Sequence, residues 1–193
     1  MTVSQEKSLW RRWAKQERQA ISEQQRVLWD AKLCSHLSRF LRAQSAVEIL
    51  IFYPVSGEPS LLQLVENLQG TCKFYLPIID GPRQMHFSCW ALGQPLRPNR
   101  FGIPEPAAPE TQFSYGEAIK PVVLVPALAI DRKGMRLGFG GGYYDHFIKQ
   151  HPAMDRIAVV YQRFLLPSLP FEPHDLPVAS AATEQAIVPL ELS

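Results

Sequence analysis

A chain of 193 residues, 46% hydrophobic and 20% charged, has the length and balance of one folded domain spanning 1–193 rather than of a disordered segment. Net charge is only +2, with no dense basic run beyond Lys7–Arg18, so non-specific nucleic-acid binding has little electrostatic support. The apolar stretches are strand-sized, the N-terminus has no apolar signal core, and Cys34, Cys72 and Cys89 lack metal-type spacing, which leaves a soluble cytoplasmic protein with reduced thiols as the expectation.

Residues 4–20 read as an amphipathic helix with Leu9, Trp10, Trp13 and Ala20 on its apolar side. Ser22 followed by Gln25 resembles a capping box, opening a helix that carries Val27, Leu28, Ala31, Cys34, Leu37 and Leu41 at helical spacing. Val47–Tyr53 is a β-rich run ending at Pro54, and Ser56-Gly57 marks a turn. A short helix follows over 60–69, stopped by Gly70; Cys72–Leu76 and Met85–Trp90 read as strands. Residues 93–116 are crowded with proline, glycine and charge and read as a long loop. Pro121–Val125 is continuously apolar, as befits a strand covered on both faces. A helix from about Gly142 to Gln150 and a strand at Ile157–Tyr161 come next, then a proline-rich tail with one short strand near Ala186–Val188. Lone His36 and His86 fall on apolar-periodic segments and read as packing residues. This alternation predicts an α/β layered sandwich, its mainly parallel central sheet flanked by helices on both faces. Ligands in such sheets gather beyond the carboxyl ends of the strands, where the loops 54–59 and 126–142 fall.

Asp131–Asp145 (DRKGMRLGFGGGYYD) is the most informative segment. Glycines at 140, 141 and 142 let main-chain N–H groups approach a bulky ligand, and a helix opening there presents free amides and a positive dipole end to an anion. Arg136 offers a planar fork suited to phosphate, and Asp145 in the first helical turn can hold Mg²⁺ beside phosphates and water. The same residues also suit a tight strand-to-helix turn with a stabilising aspartate. Neither the Walker A spacing nor a dinucleotide G-x-G-x-x-G is present, since Tyr143 occupies the last glycine position.

Arg136–Asp145 (R-L-G-F-G-G-G-Y-Y-D), preceded by Val125–Gly134 (V-P-A-L-A-I-D-R-K-G), resembles the signature of the 5-formyltetrahydrofolate cyclo-ligase family. Lys7-Ser8-Leu9-Trp10-Arg11, Tyr53–Glu58, Met85-His86-Phe87, Phe101–Pro106 and Glu172–Asp175 resemble its other landmarks, in order along nearly the whole chain. The resemblance implies ATP binding by Lys7, Arg11, Arg136, Leu137, Gly138, Phe139, Gly140, Gly141, Gly142, Tyr143 and Tyr144. It implies substrate binding by Tyr53, Glu58 and Phe139–Tyr143, magnesium on Asp145, and catalytic roles for Arg136 and Tyr143. The implied reaction closes 5-formyltetrahydrofolate to 5,10-methenyltetrahydrofolate with ATP, in a monomer whose partners are small molecules, the folate with or without a polyglutamate tail.

Apart from the resemblance, Lys7 and Arg11 would read as a solvated basic helix face and Glu58 as a surface turn acid. His174-Asp175 reads as a structural turn, and adjacent Tyr143 and Tyr144 must face different ways. Three departures from the family pattern stand out. Ala179 occupies a usually acidic position that would be a second magnesium contact, Pro126-Ala127 replaces proline-glycine, and Phe139 and Gly141 stand where some relatives carry basic residues.

Overall fold

In the computed structural model, residues 1–109, 111–115 and 121–192 are described. Helices α1 (Val3–Gln19) and α2 (Glu23–Ala43) lead into β1 (Glu48–Leu50), α3 (Leu62–Leu68), β2 (Lys73–Gly81) and β3 (Gln84–Cys89). Then come β4 (Leu96–Pro98), β5 (Pro104–Pro106), β6 (Val122–Pro126), β7 (Ala129–Asp131), β8 (Arg136–Leu137) and α4 (Tyr143–Gln150). The chain finishes with β9 (Asp155–Val159), β10 (Leu165–Leu166), β11 (Ser180–Ala182) and β12 (Ile187–Pro189).

The central sheet has seven strands in the order β12-β11-β9-β6-β1-β2-β3. Its five inner strands are parallel, and the edges β12 and β3 run antiparallel. Alternation along the strands divides the core. Ile49, Ile51, Phe74, Leu76, Val122, Leu124, Ile157 and Val159 meet Leu33, Leu37 and Leu41 of α2 and Leu64, Val65 and Leu68 of α3. On the opposite face Leu50, Tyr75, Val123 and Val125 meet Phe147 and Ile148 of α4. Ala158 and Ala181 lie in a third cluster with Ala14 of α1 and the residues of β7 and β8. Helices therefore cover both faces of a mainly parallel sheet, as expected.

Local differences have physical causes. Leu9, Val27 and Leu28 are exposed, because α1 and α2 bury faces set by Ala14, Arg18, Leu33, Cys34 and Leu37 instead. The full capping box belongs to Thr2 and Gln5, whereas Ser22 caps Gln25 in one direction only. The segment 93–116, expected to be a loop, contains the β4–β5 hairpin; its residues 110 and 116 lie outside the described set. Proline at both ends of β5 hid the hairpin, and buried Glu105 docks it by accepting from Ile79 N (2.9 Å) and Asn99 Nδ2 (2.7 Å). A small sheet β10-β7-β8 also went unforeseen, since strands of two or three residues carry no periodicity. Asp131 is absorbed by that corner, accepting from the amides of Lys133, Met135 and Leu169. His86 is not a packing residue; its Nδ1 lies 2.7 Å from Asp80 Oδ2 in the β2–β3 hairpin.

Gly134 joins this corner to the C-terminal strands. Its φ is +80° and its carbonyl accepts from Val178 N (3.0 Å). A Cβ there would collide with the Val178 carbonyl. Gly134→Ala should therefore lower stability by about 2–4 kcal/mol, from left-handed strain plus overpacking, read as a fall in the urea midpoint at unchanged slope. An unchanged midpoint would mean that this packing relaxes freely.

Candidate active site

In the sheet, β1 is followed by β2 on one side and later by β6 on the other, which makes the β1–β6 boundary a topological switch point. Three groups converge there. The loop after β1 brings Glu58, the end of β6 brings Pro126 and Ala127, and α1 crosses with Arg11 and Arg18.

On one side lies the glycine loop. Gly142 caps α4 at φ +70° with no side-chain cap, so the first-turn amides remain available to a ligand. Arg136 is nearly buried. Its Nη1 donates to Pro126 O (3.2 Å) and its Nη2 to Asp145 Oδ1 (2.6 Å), while Nε has no partner among the described residues. Arg11 Nε donates to Gly138 O (2.9 Å), and its guanidinium flanks Gly140. Phe139 is exposed with Lys15 Nζ over its ring at 5.5 Å. Tyr143 receives a hydrogen bond from Arg100 Nη2 (3.0 Å) at the β4–β5 hairpin tip, and Arg83 of the β2–β3 hairpin stands beside Gly142. Leu137 is buried in the core, its carbonyl accepting from Leu128 N (2.7 Å).

On the other side lies a buried polar cluster. Glu58 is 6% exposed, and its Oε2 accepts from Val55 N at 3.0 Å. Burial pushes its carboxyl up to about 7, against the pull of the Val55 amide and Arg18. Tyr144, beside Glu58 and Arg136, has a buried hydroxyl without a partner among the described residues, and burial raises its pKa. Tyr53 leans against the α2–α3 core. Tyr143 and Tyr144 indeed divide, one towards the hairpin tip and the other towards Phe87.

The model of the 5-formyltetrahydrofolate cyclo-ligase family matches residues 3–184. The chain belongs to this family. It is 34% identical over 143 residues to the 5-formyltetrahydrofolate cyclo-ligase of Mycolicibacterium smegmatis, covering 70% of this chain and 72% of the relative. With that of Haemophilus influenzae it shares 28% over 155 residues, covering 77% and 82%. A solved structure of Aquifex aeolicus 5,10-methenyltetrahydrofolate synthetase superposes with a TM-score of 0.80 at 27% identity, covering 97% of this chain and 94% of that one. This chain is accordingly an enzyme of the cyclo-ligase family.

The family landmarks converge unevenly. Lys7 does not share a target with Arg11: its ammonium is buried between Glu172 Oε2 (2.7 Å) and Asp175 Oδ2 (2.5 Å). It is therefore no solvated helix face, and it holds the Glu172 carboxyl below its usual value. Glu172, His174 and Asp175 form a carboxylate–imidazole group within 4.8 Å, and the lysine supplies its cation. The Asp175 side chain also accepts from Glu172 N (2.7 Å), which makes the segment a structural turn as well. Glu58 is not a surface acid.

Sequence reasoning missed Lys15, Arg83 and Arg100, which the fold gathers around the glycine loop, and buried Arg18. The first three add positive charge around the loop that holds Phe139 and Gly141. Their signal was not local, because two arise from the tips of separate hairpins.

Proposed function

We propose that the protein converts 5-formyltetrahydrofolate and ATP to 5,10-methenyltetrahydrofolate, ADP and phosphate, as a cytoplasmic monomer. The observation that carries the reading is the pairing of a cation-ringed, uncapped glycine loop with a buried carboxylate at one switch point. The first suits a triphosphate and the second the N–H edge of a reduced pterin. Among the described residues no helix is long and apolar enough to cross a membrane, in keeping with a substrate met in solution.

The chemical obstacle is amide resonance in the N-formyl group, comparable to a peptide bond's barrier of about 18–20 kcal/mol. The formyl oxygen attacks the γ-phosphorus and the bond to ADP breaks, as the N5 lone pair moves into a carbon–nitrogen double bond. N10 then attacks the formyl carbon. The carbon–oxygen bond breaks, phosphate departs, and the N10 proton is lost to phosphate or solvent.

The protein positions these groups and stabilises charge. Arg136, fixed by Pro126 O and Asp145, aims its guanidinium along the glycine loop, and the amides at 140–143 receive phosphate oxygens. Arg11 fixes the loop through Gly138 O and adds positive charge, while Tyr143 and Phe139 bound the space shared with the folate. Lys7 reaches a phosphate only by exchanging its carboxylate partners. Tyr53 and Glu58 hold the pterin.

Asp145 fits a magnesium ligand: one oxygen takes the Arg136 bond, and the side chain stays 33% exposed. A single hard oxygen donor is what Mg²⁺ needs when phosphates and waters fill its other positions, so an acid at Ala179 is dispensable. Bound there, Mg²⁺ would neutralise charge on the triphosphate.

The deciding experiment incubates the protein with ATP, Mg²⁺ and 5-formyltetrahydrofolate and follows methenyl absorbance together with phosphate. Stoichiometric growth of both is expected. Binding of either substrate without turnover would leave a folate- or nucleotide-binding protein on the same scaffold.

A further inference from the structure

The tip of the β4–β5 hairpin meets the glycine loop at Tyr143. Arg100 Nη2 donates to the phenol oxygen at 3.0 Å, and the Phe101 ring stands edge-on to the Tyr143 ring with centroids 6.2 Å apart. The Arg100 guanidinium also lies over the Phe101 ring, 4.9 Å from its centroid, so the cation and both rings form one packed unit. Among the described residues Arg100 forms no ion pair with a carboxylate that would compete for it.

On its other side the Tyr143 ring lies against the loop itself. A Cβ on Gly141 would come within 2.8 Å of Tyr143 Cδ2, so the ring fills the space that a side chain at 141 would need. Gly140 and Gly142 have φ of +105° and +70°, and glycine backbone fixes its own conformation poorly. The ring is held from outside the loop.

The hairpin tip is built to hold it. Asn99 Oδ1 accepts from Phe101 N (2.8 Å) and Ile103 N (3.0 Å), and Asn99 N donates to Ile103 O (2.9 Å). Asn99 Nδ2 donates to Oε1 of Glu105, which is buried and takes Ile79 N of β2 with the same oxygen. A line of hydrogen bonds thus runs from the central sheet through Glu105 and Asn99 to the turn that carries Arg100. Its last link is the Tyr143 phenol.

We propose that Arg100 is a positioning residue for the folate side of the reaction. Held by the Asn99–Glu105 anchor, it fixes the Tyr143 ring against Gly141 and so sets one wall of the folate pocket before substrate arrives. The role rests on the folate reading above.

The test is a double-mutant cycle of Arg100→Met and Tyr143→Phe, the second of which keeps the ring and removes the acceptor. Steady-state kinetics are measured with each substrate varied in turn. Arg100→Met should raise the folate KM by about 5–10-fold and leave the ATP KM within about 2-fold. In the Tyr143→Phe background the same substitution should add less than about 2-fold. Asn99→Ala, whose lost bonds lie inside the hairpin, should also raise the folate KM, by about 3-fold or more.

An unchanged folate KM in Arg100→Met overturns the role. So does an undiminished effect in the Tyr143→Phe background, which would have Arg100 meet the substrate directly, or an equal rise in both KM values, which would make it a phosphate-side charge. An Asn99→Ala variant that folds with a wild-type folate KM removes the anchor; should it fail to fold, the cycle on exposed Arg100 decides. Absent methenyl formation by the wild type would remove the folate reading itself, whereas turnover with additive effects removes only Arg100.

Discussion

Asparagine in place of Asp145 should cut turnover at saturating ATP by about 10²–10³-fold, with a higher Mg²⁺ concentration for half-maximal rate. The substitution keeps the side chain's shape and an acceptor for Arg136, whose Nη2 lies 2.6 Å from Asp145 Oδ1, but removes the charge. Two consequences must be separated. Losing a metal ligand makes the defect depend on Mg²⁺, whereas loosening Arg136 weakens ATP at every Mg²⁺ level. The nearly buried guanidinium also loses its countercharge, which should cost about 1–3 kcal/mol of stability. Near-wild-type activity would remove Asp145 from the metal site; a defect indifferent to Mg²⁺ would make it a positioning residue for Arg136 alone.

Glutamine at position 58 should have opposite effects on binding and on stability. A carboxylate accepting from a pterin N–H edge contributes charge-assisted hydrogen bonds, so the folate KM should rise by about 10–100-fold with ATP KM nearly unchanged. Equal rises in both would place Glu58 away from the folate. Stability carries a definite sign. Burial raises the folded-state value of Glu58 from the ordinary 4.5 to about 7, so the folded protein binds this proton more tightly than the unfolded chain does. The contribution is fully present below pH 4.5 and is lost as pH rises to about 7, a change of about 3 kcal/mol. Glu58→Gln should remove that slope, making the ligand-free variant more stable than the wild type at pH 8 and similar at pH 4.5. A wild-type stability flat across this window would mean that Glu58 titrates as an ordinary carboxylate. The wild-type folate KM should rise below pH 7, as the acceptor is lost.

The parallel core was legible wherever pattern and burial agree. Val122–Val125 is apolar on both faces and lies at the centre of the sheet, and Gly70 and Gly142 mark the ends of their elements. The glycine loop could be recognised because its chemistry is contiguous from Arg136 to Asp145. The missing parts depend on separation in sequence. Nothing near Lys7 announces Glu172 and Asp175, and nothing near Arg100 announces Tyr143. Arg18 sits on a helix so rich in charge that one buried guanidinium looks like its solvated neighbours. Glu58 was assigned by resemblance, while its burial came from α1 crossing above its loop.

The partners of α1 lie far along the chain. Arg18 reaches Ala127, Arg11 reaches Gly138, and Lys7 reaches Glu172 and Asp175, 165 and 168 positions away. Helix α1 must therefore wait for residues 172–175 before all its anchors are in place. Loop-closure entropy makes such docking a late event in folding. A nascent chain halted before residue 172 would hold much of its sheet while both halves of the pocket lacked their shared wall.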